Sequence, residues 1–341
     1  MRRSVAIFLL INVAIVIYLV SSVWTLLSLL VVDGSADAIS RAELPGPASS
    51  SPTGDRKELI PRIIHQTYVN ESIPPHWEEA RQSCLALHKD WEYNLWTDKK
   101  ARDFIAQEYP WFLETFDGYT YPIQRADAIR YFVLAHFGGI YLDLDDGCNR
   151  RLDPLLTYPA WLRRTVPTGI SNDAMGAVPH HPFFLRVIDA LPRYDKHWML
   201  PYITVMGSTG PLFLSIIWRH YNVDLGAELE MERVRVLMPD EYVGNSWSFF
   251  THHLGNSWHQ GDVKMILWMR DHWVFLLILG FFIAGVVFFS AWSIYKRFLR
   301  YRSTAGAHAF NFTKRIPFLN EAAAEGYELL NRGRPQREHE V

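Results

Sequence analysis

The sequence predicts an α/β fold held between two apolar helices. Three observations carry that prediction. Short β-branched and aromatic runs alternate with helically spaced segments between residues 59 and 270, residues 5–32 hold no charged group, and neither do residues 273–295. Strands alternating with helices build a helix-covered sheet, and an apolar run of about 20 residues is what a bilayer requires of a spanning helix.

Residues 1–4 include Arg2 and Arg3, a basic start before the first apolar run at 5–32. A cleaved signal sequence competes here, because Ala36-Asp37-Ala38 resembles a cleavage site. Secretory apolar cores usually run about 7 to 15 residues, so the length favours an uncleaved anchor. The second run, 273–295, is bracketed by Trp273, Trp292 and Tyr295, as interfacial aromatics would be. Lys296, Arg297, Arg300 and Arg302 follow it, whereas Asp33 and Asp37 follow the first. The positive-inside rule then predicts a multi-pass protein with both termini cytosolic, residues 33–270 lumenal and a basic cytosolic tail at 296–341. Of the sequons at Asn70 and Asn311, only the first should accept glycan.

Residues 33–58 are rich in Ser, Pro, Ala and Gly and predict a flexible stem. The catalytic domain, 59–270, opens with Ile60-Pro61-Arg62-Ile63-Ile64-His65-Gln66, a buried strand by its branched residues. Residues 75–88 have helical spacing, Tyr93-Asn94-Leu95-Trp96 reads as a second strand, and Asp98 caps a helix that runs to about Tyr109. Residues 122–137 form a helix with Pro122 at its start and Gly138-Gly139 at its end. Ile140-Tyr141-Leu142 is then a buried strand that runs into Asp143-Leu144-Asp145-Asp146-Gly147. A net charge of -2 gives no sign of nucleic-acid binding. Cys84 and Cys148 both fall in the lumenal part, where one disulfide and two buried thiols are both open.

Alternation along a strand would put Asp143 and Asp145 on one face, about 7 Å apart at the backbone. Both carboxylates could then reach one hard cation that completes its shell with substrate phosphates. A calcium loop counted from Asp143 fails, because Gly147 stands where a third acidic residue belongs and Pro154 where the bidentate Glu belongs. Asp127 and Arg130 share a helix face at i, i+3 spacing, either as a surface ion pair or with Arg130 as a forked donor to diphosphate oxygens.

On Gln124-Arg125-Ala126-Asp127-Ala128-Ile129-Arg130-Tyr131, on Phe137-Gly138-Gly139-Ile140-Tyr141-Leu142-Asp143-Leu144-Asp145-Asp146-Gly147-Cys148 and on Ile60-Pro61-Arg62-Ile63-Ile64-His65-Gln66-Thr67, the chain resembles glycosyltransferase family 32. That family holds retaining hexosyltransferases of GT-A fold, a Rossmann-like nucleotide-sugar-binding domain. The branch that makes mannosyl-inositol-phosphoceramide is similar in its Leu144-Asp145-Asp146-Gly147-Cys148 sequence and in its second span. The resemblance implies GDP-mannose as donor, inositol phosphoceramide as acceptor, a divalent cation with Mn²⁺ ahead of Mg²⁺, a regulatory membrane subunit and a Golgi membrane location. It implies that Asp127 and Arg130 hold the donor's ribose, sugar or diphosphate, that Asp143 holds ribose and metal, and that Asp145 holds the metal. Asn172 and Asp173 resemble a loop lining the sugar, and His65 stands where a base contact is open. In His252-His253-Leu254-Gly255-Asn256-Ser257-Trp258, one of His252 and His253 would complete the metal shell and Trp258 would close over the donor. Two other readings are a Golgi α-mannosyltransferase acting on protein-linked glycans and a catalytically silent membrane scaffold or lectin-like subunit.

Overall fold

The computed structural model describes residues 3–32, 34–45, 53, 56–165, 168–224, 230–241, 247–252 and 261–314. They divide into two compact units, Met1–Val263 and Lys264–Val341. In chain order the strands are β1 (Ile63–Tyr68), β2 (Glu92–Thr97), β3 (Gly139–Leu142), β4 (Asp146–Cys148), β5 (Ala160–Arg164), β6 (Ile170–Ala177), β7 (Val234–Leu237) and β8 (Phe250–His252). The helices are α1 (Arg3–Val31), α2 (Pro75–Leu87), α3 (Asp98–Glu108), α4 (Leu113–Gly118), α5 (Pro122–Phe137), α6 (Pro182–Tyr194), α7 (Pro201–Ser208), α8 (Pro211–Asp224), α9 (Gly261–Asp271) and α10 (Trp273–Lys314).

The first unit is built on a mixed six-stranded sheet of order β2-β1-β3-β6-β5-β7, beside which β4 and β8 form a two-stranded antiparallel ribbon. β1 pairs in parallel with both β2 and β3, while β6 runs antiparallel to both β3 and β5. Side-chain alternation sorts the sheet into two cores. Ile64, Ile140, Leu142, Trp161 and Ala174 lie in one, with Phe249 and Phe250 of the ribbon. Tyr141, Leu162 and Met175 lie in the other, with Phe132, Phe183 and Trp218 of α5, α6 and α8.

Helix α5 occupies the predicted residues, and its polar Asp127 and Arg130 are buried with its apolar ones. A helix apolar nearly all round has no solvent face, so those two side chains must find partners inside. Gly138 and Gly139 take φ of 67° and 94° in the left-handed region. A Cβ at Gly138 would stand 2.7 Å from Pro179, and one at Gly139 would stand 2.8 Å from the Ile63 carbonyl. These glycines let the chain turn from α5 into β3 directly against β1. The cap of α3 is Thr97, whose hydroxyl accepts from Lys100 N at 3.3 Å, and Asp98 is the first helical residue rather than the cap. Cys84 and Cys148 are joined in a disulfide that ties α2 to β4.

The stem expected at 33–58 is ordered over 34–45. Ala38 bridges Val236 of β7 in parallel, and Ile39 N donates to Val236 O at 2.8 Å. Arg233 pairs with Asp37 at 2.7 Å, Arg235 pairs with Glu43 at 3.0 Å, and Ile39 and Leu44 are buried. Composition suggested disorder, but a short run needs only two apolar anchors and a free sheet edge to be held. Arg41 stacks over the Trp247 ring at 4.0 Å, and Arg150 donates to both Pro45 O and Trp247 O, so this strap also reaches the approach to β8.

Of the two spans expected, one is matched among the described residues by a single helix of spanning length and composition. In the second unit, Trp273–Phe298 is a single unburied stretch with mean hydropathy 2.7, long and apolar enough to cross a membrane. In the first, Leu9–Ser21 and Trp24–Val31 meet that criterion only as a pair bent by 56°. The last turns of α1 pack on the globular core, where Leu29 is buried and Thr25 faces His220 at 3.3 Å.

Candidate active site

β3 ends at Leu142, and Asp143 through Asp146 form a tight turn closed by Asp146 N donating to Asp143 O at 3.1 Å. The two carboxylates of the motif are therefore presented by a turn and not by strand alternation. Leu144 is buried between them, while Asp143 and Asp145 stay partly open. Asp143 N donates to Asp173 O of β6 at 2.8 Å, which fixes the turn to the sheet.

Arg130 of α5 stands behind Asp143. Its Nη1 lies 3.1 Å from Asp143 Oδ1 and donates to Asn172 O at 2.8 Å, its Nη2 lies 3.1 Å from Asp127 Oδ1, and its Nε donates to Ala126 O at 3.2 Å. The Tyr141 hydroxyl donates to Asp143 Oδ1 at 2.8 Å, and the Tyr141 ring lies under the guanidinium. Asp127 accepts further bonds from Asn172 Nδ2 and Thr209 Oγ1, both at 3.0 Å. Asn172 Nδ2 also donates to the Tyr131 hydroxyl, which itself donates to Thr209 O. Buried polar groups are costly unless paired, and here α5, β6 and the end of α7 satisfy one another. The structure thus rejects a surface ion pair for Asp127 and Arg130. It also turns the forked guanidinium toward protein oxygens, with only 3% of Arg130 exposed.

On the other flank, Arg163 of β5 lies 2.9 Å from Asp146 Oδ2 and 3.0 Å from Asp173 Oδ2. Ribbon pairing sets Asp146 opposite His252, which brings the backbone of the His-His element beside the turn. The side chain of His252 and the whole of His253 and Trp258 lie outside the described residues. His65 does not reach the site. It is wholly buried, its Nε2 lies 2.9 Å from Gly138 O, and its Nδ1 accepts from Trp96 Nε1 at 3.1 Å. That pattern fixes a neutral ring with the proton on Nε2, and burial lowers its pKa to about 4. Gln66, the next residue of the same motif strand, is buried and takes a bond from the Tyr93 hydroxyl.

Burial pushes the Asp143 carboxyl up, Arg130 opposes this, and the charges of Asp145 and Asp173 push it up further. Asp127 is likewise raised by burial against the pull of Arg130. A carboxylate cluster short of positive charge is suited to a cation. Among the described residues no group of three or more His, Cys, Asp or Glu side chains converges on one point. Asp143 and Asp145, both partly open on one turn, carry the oxygen ligands that a hard ion takes.

A protein-family profile described as a glycosyltransferase sugar-binding region containing a DXD motif matches residues 74–161, which hold the turn, α5 and the start of β5. Mannosyl phosphorylinositol ceramide synthase SUR1 of Saccharomyces cerevisiae is 47% identical over 295 residues, covering 86% of this chain and 75% of the relative. Inositol phosphoceramide mannosyltransferase 2 of Schizosaccharomyces pombe is 50% identical over 236 residues, 68% of each chain. Among solved structures, the PaToxG glycosyltransferase aligns with TM-score 0.37 and 18% identity, over 48% of this chain and 70% of that one.

Proposed function

Because the chain belongs to the DXD-containing glycosyltransferases of family 32 type, we propose that it transfers mannose from GDP-mannose to inositol phosphoceramide with retention of configuration. In that reaction the bond between mannose C1 and the diphosphate oxygen breaks, GDP departs with the electron pair, and a bond from C1 to an inositol oxygen forms on the same face as that hydroxyl gives up its proton. The observation that carries the reading is the Asp143–Asp146 turn, wedged between buried Arg130 and buried Arg163.

Asp143 and Asp145 would hold the divalent cation, Mn²⁺ ahead of Mg²⁺, with His252 or His253 completing its shell. When bound, such an ion offsets the charge that builds on the leaving diphosphate. Arg130 keeps Asp143 oriented and adds fixed positive charge behind it, a positioning role in place of direct phosphate contact. Asp127 and Asn172 keep Arg130 in place and, with Asp173, line the sugar. Trp258 closes over the donor. Thr209 joins the same wall through Asp127.

A GT-A assignment for the sheet, a Golgi membrane location, cytosolic termini and a regulatory membrane subunit complete the proposal. The disulfide supports a lumenal site, since such bonds persist in oxidising compartments. The test is transfer of labelled mannose from GDP-mannose to inositol phosphoceramide by membranes expressing the chain, beside an Asp145→Ala control. Label in the lipid that vanishes with the substitution is expected. Label in protein-linked glycan instead would replace the lipid acceptor, and transfer unaffected by the substitution would overturn the metal site.

A further inference from the structure

We propose that Arg163 is a positioning residue for the cation-binding turn, acting through Asp146 and Asp173. This rests on the reading of Asp143 and Asp145 as cation ligands. Arg163 lies outside every motif that the sequence offers.

The first observation is a register break. β5 pairs with β6 as Leu162 with Met175 and then as Arg163 with Ser171, so Asn172, Asp173 and Ala174 bulge out of the ladder at Arg163. Bulges re-aim side chains beside active sites. Here the bulge frees Asp173 O to accept Asp143 N and turns the Asp173 carboxylate toward Arg163.

The second is the geometry of the guanidinium. Its two terminal nitrogens reach two carboxylates on different elements, at 2.9 Å and 3.0 Å, with the Arg163 side chain 5% exposed and that of Asp146 fully buried. Asp146 closes the turn with its own N–H, and Asp173 holds the beginning of the turn with its carbonyl. One side chain is therefore tied to both ends of the turn. The Phe250 ring lies 5.7 Å from the same guanidinium, so β8 shares the contact. A planar fork spans two carboxylates, whereas a lysine is a point charge.

Without that fork, the buried Asp146 and the partly exposed Asp173 would lose the counter-charge they share beside Asp143, and the turn would lose a tie to both of its ends. Partners that orient metal ligands typically cost about 10- to 100-fold in metal affinity when lost.

The experiment uses the full-length protein in detergent. Mn²⁺ binding is read from the electron paramagnetic resonance signal of free Mn²⁺, alongside transfer kinetics and thermal melting of wild type, Arg163→Lys and Asp145→Ala. For Arg163→Lys the expected result is Mn²⁺ binding weakened about tenfold. The Mn²⁺ needed for half-maximal transfer should rise in parallel, with the rate at saturating Mn²⁺ largely kept. A lowered melting temperature with unchanged Mn²⁺ affinity would overturn the proposal and leave Arg163 a stabilising residue only. If Arg163→Lys does not fold, Asp146→Asn removes one of the two charges held by the fork and must show the same weakening, or the proposal falls. Full Mn²⁺ binding by Asp145→Ala would instead sink the cation site itself, an outcome distinct from failure at Arg163 alone.

Discussion

At the scale of single residues, the site is a set of carboxylates held by arginines that do not themselves open to solvent. Arg130 bonds to three elements at once, so its shape matters as well as its charge. Arg130→Lys is expected to lower kcat at least tenfold, because a lysine cannot satisfy Asp127, Asp143 and Asn172 O together and a broken buried pair costs about 3–5 kcal/mol. Steady-state transfer kinetics with a melting curve would check this.

Histidines give the acid side of the stability profile. His65 and His181 are each lowered to about 4 by burial, from an ordinary value near 6.5. Between those pH values the unfolded chain binds protons at these two histidines that the folded chain refuses, so their contribution to stability is full above pH 6.5 and falls as pH drops toward 4, while the raised carboxyls of Asp143 and Asp127 act in the opposite sense. Each histidine contributes up to about 3 kcal/mol of that loss. The melting temperature of His65→Gln should therefore lose less, relative to wild type, as pH drops from 6.5 toward 4. A slope unchanged by that substitution would contradict the buried neutral ring. His65 also shows a limit of sequence reading: its place at the end of a motif strand invites a ligand role, but the Trp96 indole that claims its free nitrogen lies on another strand.

At the scale of elements, the helix and strand leading into the site were legible because each has local punctuation. Pro122 starts α5, Gly138 and Gly139 end it, and branched residues fill β1 and β3. The turn was not legible as a turn, because alternation continues on paper past Leu142 while the Asp146 N–H folds back onto Asp143 O. Equally hidden was the ribbon that brings β8 to β4, since its pairing joins segments far apart in the chain. The disulfide anchors that ribbon, and the loop it closes is long, with a sequence separation of 64. A loop of this size predicts about 4 kcal/mol of stabilisation from chain entropy. Cys148→Ser should therefore lower the melting temperature and weaken transfer together, measured on the same preparation.

At the scale of the whole molecule, the first unit includes residues that composition alone would assign to a spacer. The strap at 34–45 adds to the edge at β7 and grips Trp247 ahead of β8. Deleting 34–45 while keeping α1 should therefore abolish most transfer and expose the protein to limited proteolysis near β7, even though Asp143, Asp145 and Arg130 are untouched. Full activity in that deletion would show the strap to be dispensable. Composition failed here because it averages over a segment, whereas order came from Ile39 and Leu44 finding cover.

The short passage from Val31 into the Ala38 bridge has a kinetic corollary. A catalytic head on a long leash samples a volume of solution, and its rate follows bulk concentration. A head whose leash is stitched to its own sheet stays at one height above the bilayer that holds α1 in the proposed topology, so collisions with a lipid acceptor are confined to a plane. Turnover then scales with the acceptor's mole fraction in the membrane, and diluting the acceptor with inert lipid slows the enzyme even when the total amount of acceptor is unchanged.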